Sequence, residues 1–264
     1  MAKIRALSFE KHKNLRFSNP KNYFFIKNKT LAPLIISELY KAAVSFPIVF
    51  TKEKLFQENC PEERFTLCAL LGLRDNENLY VSSEGYWMSD YVPAIYRAYP
   101  FMIAHTGDKE KFIIAIDEES EFLSEEEGIP IFEATGDLSE EVKKIIKFLN
   151  EVVAGYKKTQ RICQILEETE LLTPYPITIK TQEKDIKIEG IFGVDQKKLN
   201  NLSTDQLELL YKEGALPVIY CHIISLQNLS FLATLFNIRL KEEKTLEEIK
   251  QGIFEDVIHL GFDE

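Results

Sequence analysis

The chain reads as an α+β protein, an antiparallel β-meander packed with helices, and three observations predict that class. Short β-prone runs punctuated by turn residues fill most of the first half. One long amphipathic pattern follows, from Val142 to Leu166. A small hairpin and further helical stretches then close the chain, so strands and helices segregate instead of alternating.

Taken in order, the first helix is expected over Leu31 to Ser45, where Leu31, Leu34, Ile35, Leu39 and Ala42 keep helical spacing. Thr30 is placed to cap it, and Pro47 ends it. Strands are expected at Ile48–Thr51, Phe65–Leu73, Leu79–Ser82, Phe101–His105 and Phe112–Asp117. Asp75, Asn76, Gly85, Gly107 and Asp108 mark the turns between them. A short helix is expected from Asp90 to Ala98, with Asp90 as cap and Pro93 tolerated in the first turn. The acidic segment Glu119 to Gly136 reads as a loop anchored by Ile131 and Phe132.

Asp137 with Glu140 reads as a capping box for the long helix, which the apolar pattern carries to about Glu170. Such a helix would be roughly 50 Å long, enough to cross a domain. Ile177–Thr181 and Ile186–Ile191 form a hairpin about the polar turn Gln182 to Asp185. Ser203 and Gln206 make a second capping box, with Leu202 and Leu207 placed as a hydrophobic staple. Leu216–Asn228 and Leu229–Asn237 continue as apolar helices or one kinked helix. Thr245 and Glu248 are expected to cap a last amphipathic helix carrying Leu246, Ile249, Ile253, Phe254 and Val257. The expected organisation is a meander lobe (1–136), a helical lobe packed on it (137–237) and a C-terminal extension (238–264).

With 264 residues, 45% of them hydrophobic and 28% charged, the chain has the means to build a core. A formal net charge of −10 disfavours phosphate backbones and anionic lipid, so no nucleic-acid partner is expected. The basic residues among the first 30 positions alternate with apolar ones, as on a solvated surface. The longest apolar stretch, Leu216 to Leu226, contains His222 and falls short of the roughly 20 residues a span needs. It reads as a buried core helix, and no membrane span is expected. Cys60, Cys68, Cys163 and Cys221 show neither zinc nor disulfide spacing, and charges break up the N-terminal apolar pairs where a leader would lie. A cytoplasmic location is the expectation.

No nucleotide, hydrolase, zincin or dithiol motif is present in the sequence. Cys221 and His222 are adjacent and so do not face each other on a helix. The four histidines lie too far apart for a helical metal pair. No catalytic residue, metal or cofactor is therefore read from the sequence. His222, on an apolar helix, needs a partner for its ring nitrogens from another element. Asp117 and Glu118, at a strand end, are the acidic residues best placed for a site. The segment from Asn78 to Phe101 is dense in aromatics, with Trp87, Tyr91 and Tyr99 around the single charge Arg97. Asn78, Trp87, Tyr91, Arg97, Tyr99, Asp117 and Glu118 are thus the candidate binding residues, Arg97 being suited to a carboxylate.

The blocks HKNLRF (12–17), LAPLIISEL (31–39), FPIVF (46–50), ALLGL (69–73) and NLYV (78–81) occur in the same order in a known bacterial family. So do Trp87 with YVPAIYRAYPF (91–101), IDEES (116–120), EGIPIF (127–132), GIFGVD (190–195) and IYCHIISLQNL (219–229). On these, the chain resembles the SapC family over roughly residues 5–237. The resemblance implies an accessory protein associated with bacterial surface-layer proteins, and brings no catalytic residues with it.

The expectation drawn from both readings is a non-catalytic protein that binds a protein or peptide partner in surface-layer export or assembly. The first alternative is an enzyme or enzyme subunit acting on peptides or side chains, with Asp117, Glu118, Tyr91 and Arg97 around one pocket. The second is a structural surface-layer component. Homo-oligomerisation is left open.

Overall fold

The structure is a computed structural model and describes residues 3–52, 64–105, 112–180 and 185–260, the stretch 250–260 through its backbone. The turn marked by Gly107 and Asp108, the hairpin turn at 182–184 and Cys60 lie outside the described residues.

In chain order the strands are β1 (Ile4–Ala6), β2 (Arg16–Phe17), β3 (Leu31–Pro33), β4 (Ile48–Thr51), β5 (Thr66–Leu70), β6 (Phe101–His105) and β7 (Phe112–Asp117). They continue with β8 (Leu123–Ser124), β9 (Ile129–Pro130), β10 (Leu172–Pro174), β11 (Ile177–Lys180), β12 (Asp185–Ile188) and β13 (Ile191–Val194). The helices are α1 (Phe9–His12), α2 (Leu39–Ser45), α3 (Glu140–Glu168), α4 (Gln196–Asn200), α5 (Thr204–Lys212), α6 (Ala215–Ser225) and α7 (Leu229–Leu260).

The architecture is α+β and the strand pairings are antiparallel. A five-stranded sheet runs β10-β13-β4-β5-β3, and a three-stranded sheet runs β1-β7-β6. The strands of the meander are therefore shared between two sheets, with β4 and β5 in the first and β6 and β7 in the second. The hairpin β11-β12 stands apart, as does the small β8-β2-β9 sheet.

Alternation explains little of the central sheet, because Ile48 to Thr51 and Thr66 to Leu70 are buried on both faces. A strand covered on two sides reads as a continuous apolar run, and α3 and α6 supply the cover. The main core joins this sheet to α3, α6 and α7 through Phe46, Phe50, Leu67, Leu166, Ile219 and Phe236. A second core under β6 and β7 is closed by Phe17, Phe101, Ile116 and Leu149.

Several expected elements form differently. The helix expected from Leu31 begins instead as strand β3, because Pro33 cannot donate into a helical turn and disfavours the α conformation before it. A single 3₁₀ turn (Ile36–Glu38) then leads into α2. Thr30 caps nothing; its hydroxyl donates to the Arg74 carbonyl at 3.2 Å. Leu79–Ser82 is no strand and keeps one isolated bridge, Val81 to Trp87. The helix expected over Asp90 to Ala98 shrinks to a 3₁₀ turn at Ala94–Tyr96, since Pro93 is extended at ψ 138°. Inside the expected acidic loop, β8 and β9 pair with β2, and Ile131 is fully buried.

The cap of α3 is Ser139, not Asp137, whose carboxylate accepts from the Thr135 hydroxyl at 3.1 Å. The 29 residues of α3 span about 43 Å. Ser203 and Gln206 form the expected capping box, while Leu207 remains 48% exposed. Thr245 starts no new helix: its hydroxyl bonds the Lys241 carbonyl at 3.0 Å inside α7, which runs unbroken past it.

Two corrections concern the apolar C-terminal half. Helix α6 is not wholly buried, for Tyr220 and Ile224 face outward. The helical run Ala215–Ile249 is also, by length and composition, apolar enough to cross a membrane, although its inner face belongs to the core.

One ion-paired junction ties the β5 turn to α7. The Arg74 guanidinium donates to Glu77 Oε1 at 2.6 Å and to Glu243 Oε1 at 2.8 Å, and lies 4.9 Å over the Phe236 ring. Gly72 makes this turn feasible, because a Cβ there would meet the Glu77 carbonyl oxygen at 2.1 Å.

Candidate functional site

The site grows from a buried acid that the sequence hides inside an apolar stretch. Ile35 is extended (φ −111°, ψ 152°), and the 3₁₀ turn after it curls the Glu38 side chain back so that Oε1 accepts from the Ile35 amide at 2.9 Å. The Ala94 amide donates to Oε2 at 2.7 Å and the Tyr91 hydroxyl donates to the same oxygen at 2.8 Å. Burial pushes the Glu38 carboxyl upward, against these three donors and the charge of Arg97. Burial and the neighbouring Glu38 likewise raise the Tyr91 phenol, which keeps its proton for the bond to the acid.

Tyr91 passes the connection outward. The Arg97 Nη2 donates to its hydroxyl at 3.2 Å, and the guanidinium lies between the Tyr91 ring at 5.4 Å and the Phe148 ring at 5.0 Å. Arg97 is exposed, and that bond is its side chain's one hydrogen bond among the described residues. A guanidinium has five N–H donors, so this exposed group, resting near two rings, has donors to offer a ligand.

Trp87 supports the same loop. Its indole N–H donates to the Tyr91 carbonyl at 2.7 Å, and its ring packs against Tyr80, Tyr23 and Phe46 at 5.7, 5.5 and 6.0 Å. Tyr86 and Met88 are exposed on either side of it. Beside Glu38 a narrow apolar crevice with about 10 Å³ of free volume, room for about one water, is lined by Pro33, Ile35, Ile95, Ile103, Val152 and Tyr156. Phe148, which flanks Arg97, packs on the same cluster.

Tyr99, Asp117 and Glu118 form a second group beside the first strand. Tyr99 stacks on Phe25 with centroids 3.9 Å apart and donates its hydroxyl to Asp117 Oδ2 at 2.8 Å. Its phenol is pushed up to about 12, chiefly by burial. The other Asp117 oxygen accepts from the Lys3 and Glu119 amides at 3.0 and 3.2 Å. Glu118 pairs with Lys3 at 2.8 Å, Arg5 at 3.4 Å and the buried His12 at 3.4 Å, and the Lys3 bond first holds its carboxyl below the ordinary range.

Asn78 belongs to neither group. It is buried, donates to the Ile26 carbonyl at 3.1 Å and accepts from the Tyr80 amide at 3.0 Å, fixing the start of the aromatic loop. The structure thus brings Trp87, Tyr91 and Arg97 together, and Tyr99 with Asp117 and Glu118. An aromatic row links the two, from Trp87 through Tyr23 and Phe25 to Tyr99, at 5.5, 6.0 and 3.9 Å. Among the described residues, the hydrogen bonds and ion pairs of Tyr91 and Arg97 share no partner with those of Asp117 and Glu118.

Sequence reasoning missed Glu38, Tyr23, Phe25 and Phe148. A lone acid between Ile36 and Leu39, in a stretch opened by Pro33, was the available signal for Glu38. Among the described residues no group of three or more His, Cys, Asp or Glu could hold a metal ion.

No curated protein and no solved structure matches the chain. The model of the SapC family matches residues 7–232, which takes in both groups of the site, and the chain belongs to the SapC family.

Proposed function

We propose that this protein is a non-catalytic accessory protein that binds a polypeptide partner in surface-layer export or assembly. Recognition centres on Arg97, which takes a carboxylate of the partner, while Tyr91, Trp87 and the exposed Tyr86 and Met88 meet its apolar side chains. The observation that carries this reading is an exposed guanidinium lying near the Tyr91 and Phe148 rings with one side-chain hydrogen bond among the described residues. A guanidinium tethered in this way loses less freedom on meeting a carboxylate, which it can hold with two parallel bonds. Membership in the SapC family supports this reading, the surface-layer setting being what the resemblance implies. The partners already held by Asp117 and Glu118 favour contact over chemistry, because both carboxylates are engaged in fastening the first strand.

The test is capture of partners from the native host by wild type and by Arg97→Glu. The side chain is exposed, so the variant should keep its circular dichroism spectrum while losing the captured surface-layer polypeptide at least about tenfold. Equal capture by both proteins refutes the assigned surface.

A further inference from the structure

We infer that a carboxylate captured at Arg97 draws a proton onto Glu38, with the Tyr91 hydroxyl as the link, so that the site holds its ligand more tightly in mild acid. This rests on the reading of Arg97 as a carboxylate site and adds its regulation. Glu38 is 4% exposed, and its carboxylate takes three bonds, from the Ile35 amide at 2.9 Å, the Ala94 amide at 2.7 Å and the Tyr91 hydroxyl at 2.8 Å. All three donors are neutral. The positive charge that bears on the acid is Arg97, one phenol away, whose Nη2 donates to the Tyr91 hydroxyl at 3.2 Å. Arg97 itself is exposed. A buried carboxylate thus relies for its counter-charge on a guanidinium that a ligand can reach.

A carboxylate seated on Arg97 brings a second negative charge to that guanidinium and cancels much of the field that Glu38 feels. Keeping Glu38 ionised then costs more, and the acid takes a proton from solvent. The network has a place for it. A proton on Oε2 is donated to the Tyr91 oxygen, the phenol hydrogen is released to the bound carboxylate, and both amide bonds to Glu38 remain. Linkage fixes the sign, because a ligand that raises the proton affinity of Glu38 is itself bound more tightly once the proton is on. Burial already holds the Glu38 carboxyl above its ordinary 4.5, so the change falls above that pH. Tyr156 of α3 faces the acid across the crevice, and burial pushes its phenol up to about 12, so it stays neutral. Tyr91 is raised as well, and Tyr40 and Lys41 on α2 are exposed. The rest of the crevice lining is apolar.

The experiment follows the Glu38 carboxyl carbon by NMR in the full chain, titrated in sodium acetate and in sodium chloride of equal ionic strength, with acetate as the probe. The Arg97 Nε–H signal gives the acetate affinity of the same samples at pH 5.5 and pH 8. The Glu38 midpoint should lie higher in acetate than in chloride, and acetate should bind at least about threefold more tightly at the lower pH. Glu38→Gln should bind acetate with one affinity at both pH values, and Tyr91→Phe should lose most of the pH difference. The wild-type carbon reads the link without any variant. Acetate that leaves the Arg97 signal unmoved at either pH overturns both the linkage and the carboxylate reading beneath it. Acetate that binds equally well at the two pH values, or a Glu38 midpoint that is the same in both salts, overturns the linkage and leaves that reading standing. A Tyr91→Phe protein that keeps the whole pH difference overturns the phenol as the link.

Discussion

His222 shows how a single polar side chain is admitted to this core. Nδ1 donates to the Ile48 carbonyl at 2.7 Å and Nε2 accepts from the Val194 amide at 3.2 Å, so one neutral ring satisfies adjacent strands β4 and β13 from α6. Gly193 leaves room for it, since a Cβ there would sit 3.1 Å from Nε2. Burial lowers the imidazole from 6.5 to about 4, opposed by the Ile48 bond. The unfolded chain therefore binds the extra proton first, and the contribution is complete above pH 6.5 and lost as pH falls toward 4. Its size is on the order of 3 kcal/mol. Urea unfolding at pH 7 and pH 4.5 should show wild type losing most of that amount, and His222→Gln losing clearly less over the same interval. Parallel pH dependence in the two proteins contradicts the assignment. Glu38 acts with the opposite sign, because its raised carboxyl favours the folded state in acid, and the comparison with His222→Gln removes its part.

At the scale of elements, capping and periodicity argue different things. Helix α5 depends on its cap, for only Leu210 of its nine residues is buried. The Ser203 hydroxyl accepts from the Gln206 amide at 3.3 Å and the Gln206 side chain accepts from the Ser203 amide at 3.1 Å. Ser203→Ala should cost about 1 kcal/mol in chemical unfolding, and a change within error shows that packing alone holds the helix. That box was legible because both partners are three residues apart in sequence. Strands β4, β6, β7, β11 and β12 were legible for a similar reason, their apolar runs being bounded by turn residues. The stretches Leu31 to Glu38 and Leu79 to Ala98, on either side of β4 and β5, were not. Helical spacing over Leu31 to Ala42 is real, but Pro33 and the long-range bond from the Ile36 amide to the Thr159 hydroxyl at 2.9 Å outweigh it. The aromatic loop was found by composition. What tethers it is Glu38, 56 residues from its partner Ala94, and no local pattern announces such a pairing.

Over the whole molecule, the chain folds back so that its C-terminal helices cover the sheet begun by β3 and β4. Arg74 is where that closure is fastened, between a turn acid and an acid 169 residues away. Arg74 and Glu243 are each about 40% exposed, so the tie is modest and open to counterions. Dissolved salt thereby becomes a control on how firmly the last helix is held. Raising sodium chloride should quicken hydrogen exchange at amides 239–245 and leave the central strands protected. Arg74→Met should show the faster rates at every ionic strength, and no difference between the two proteins in dilute buffer removes the tie from the account. A protein that clasps its own end this way can loosen one helix without disturbing the sheet beneath it.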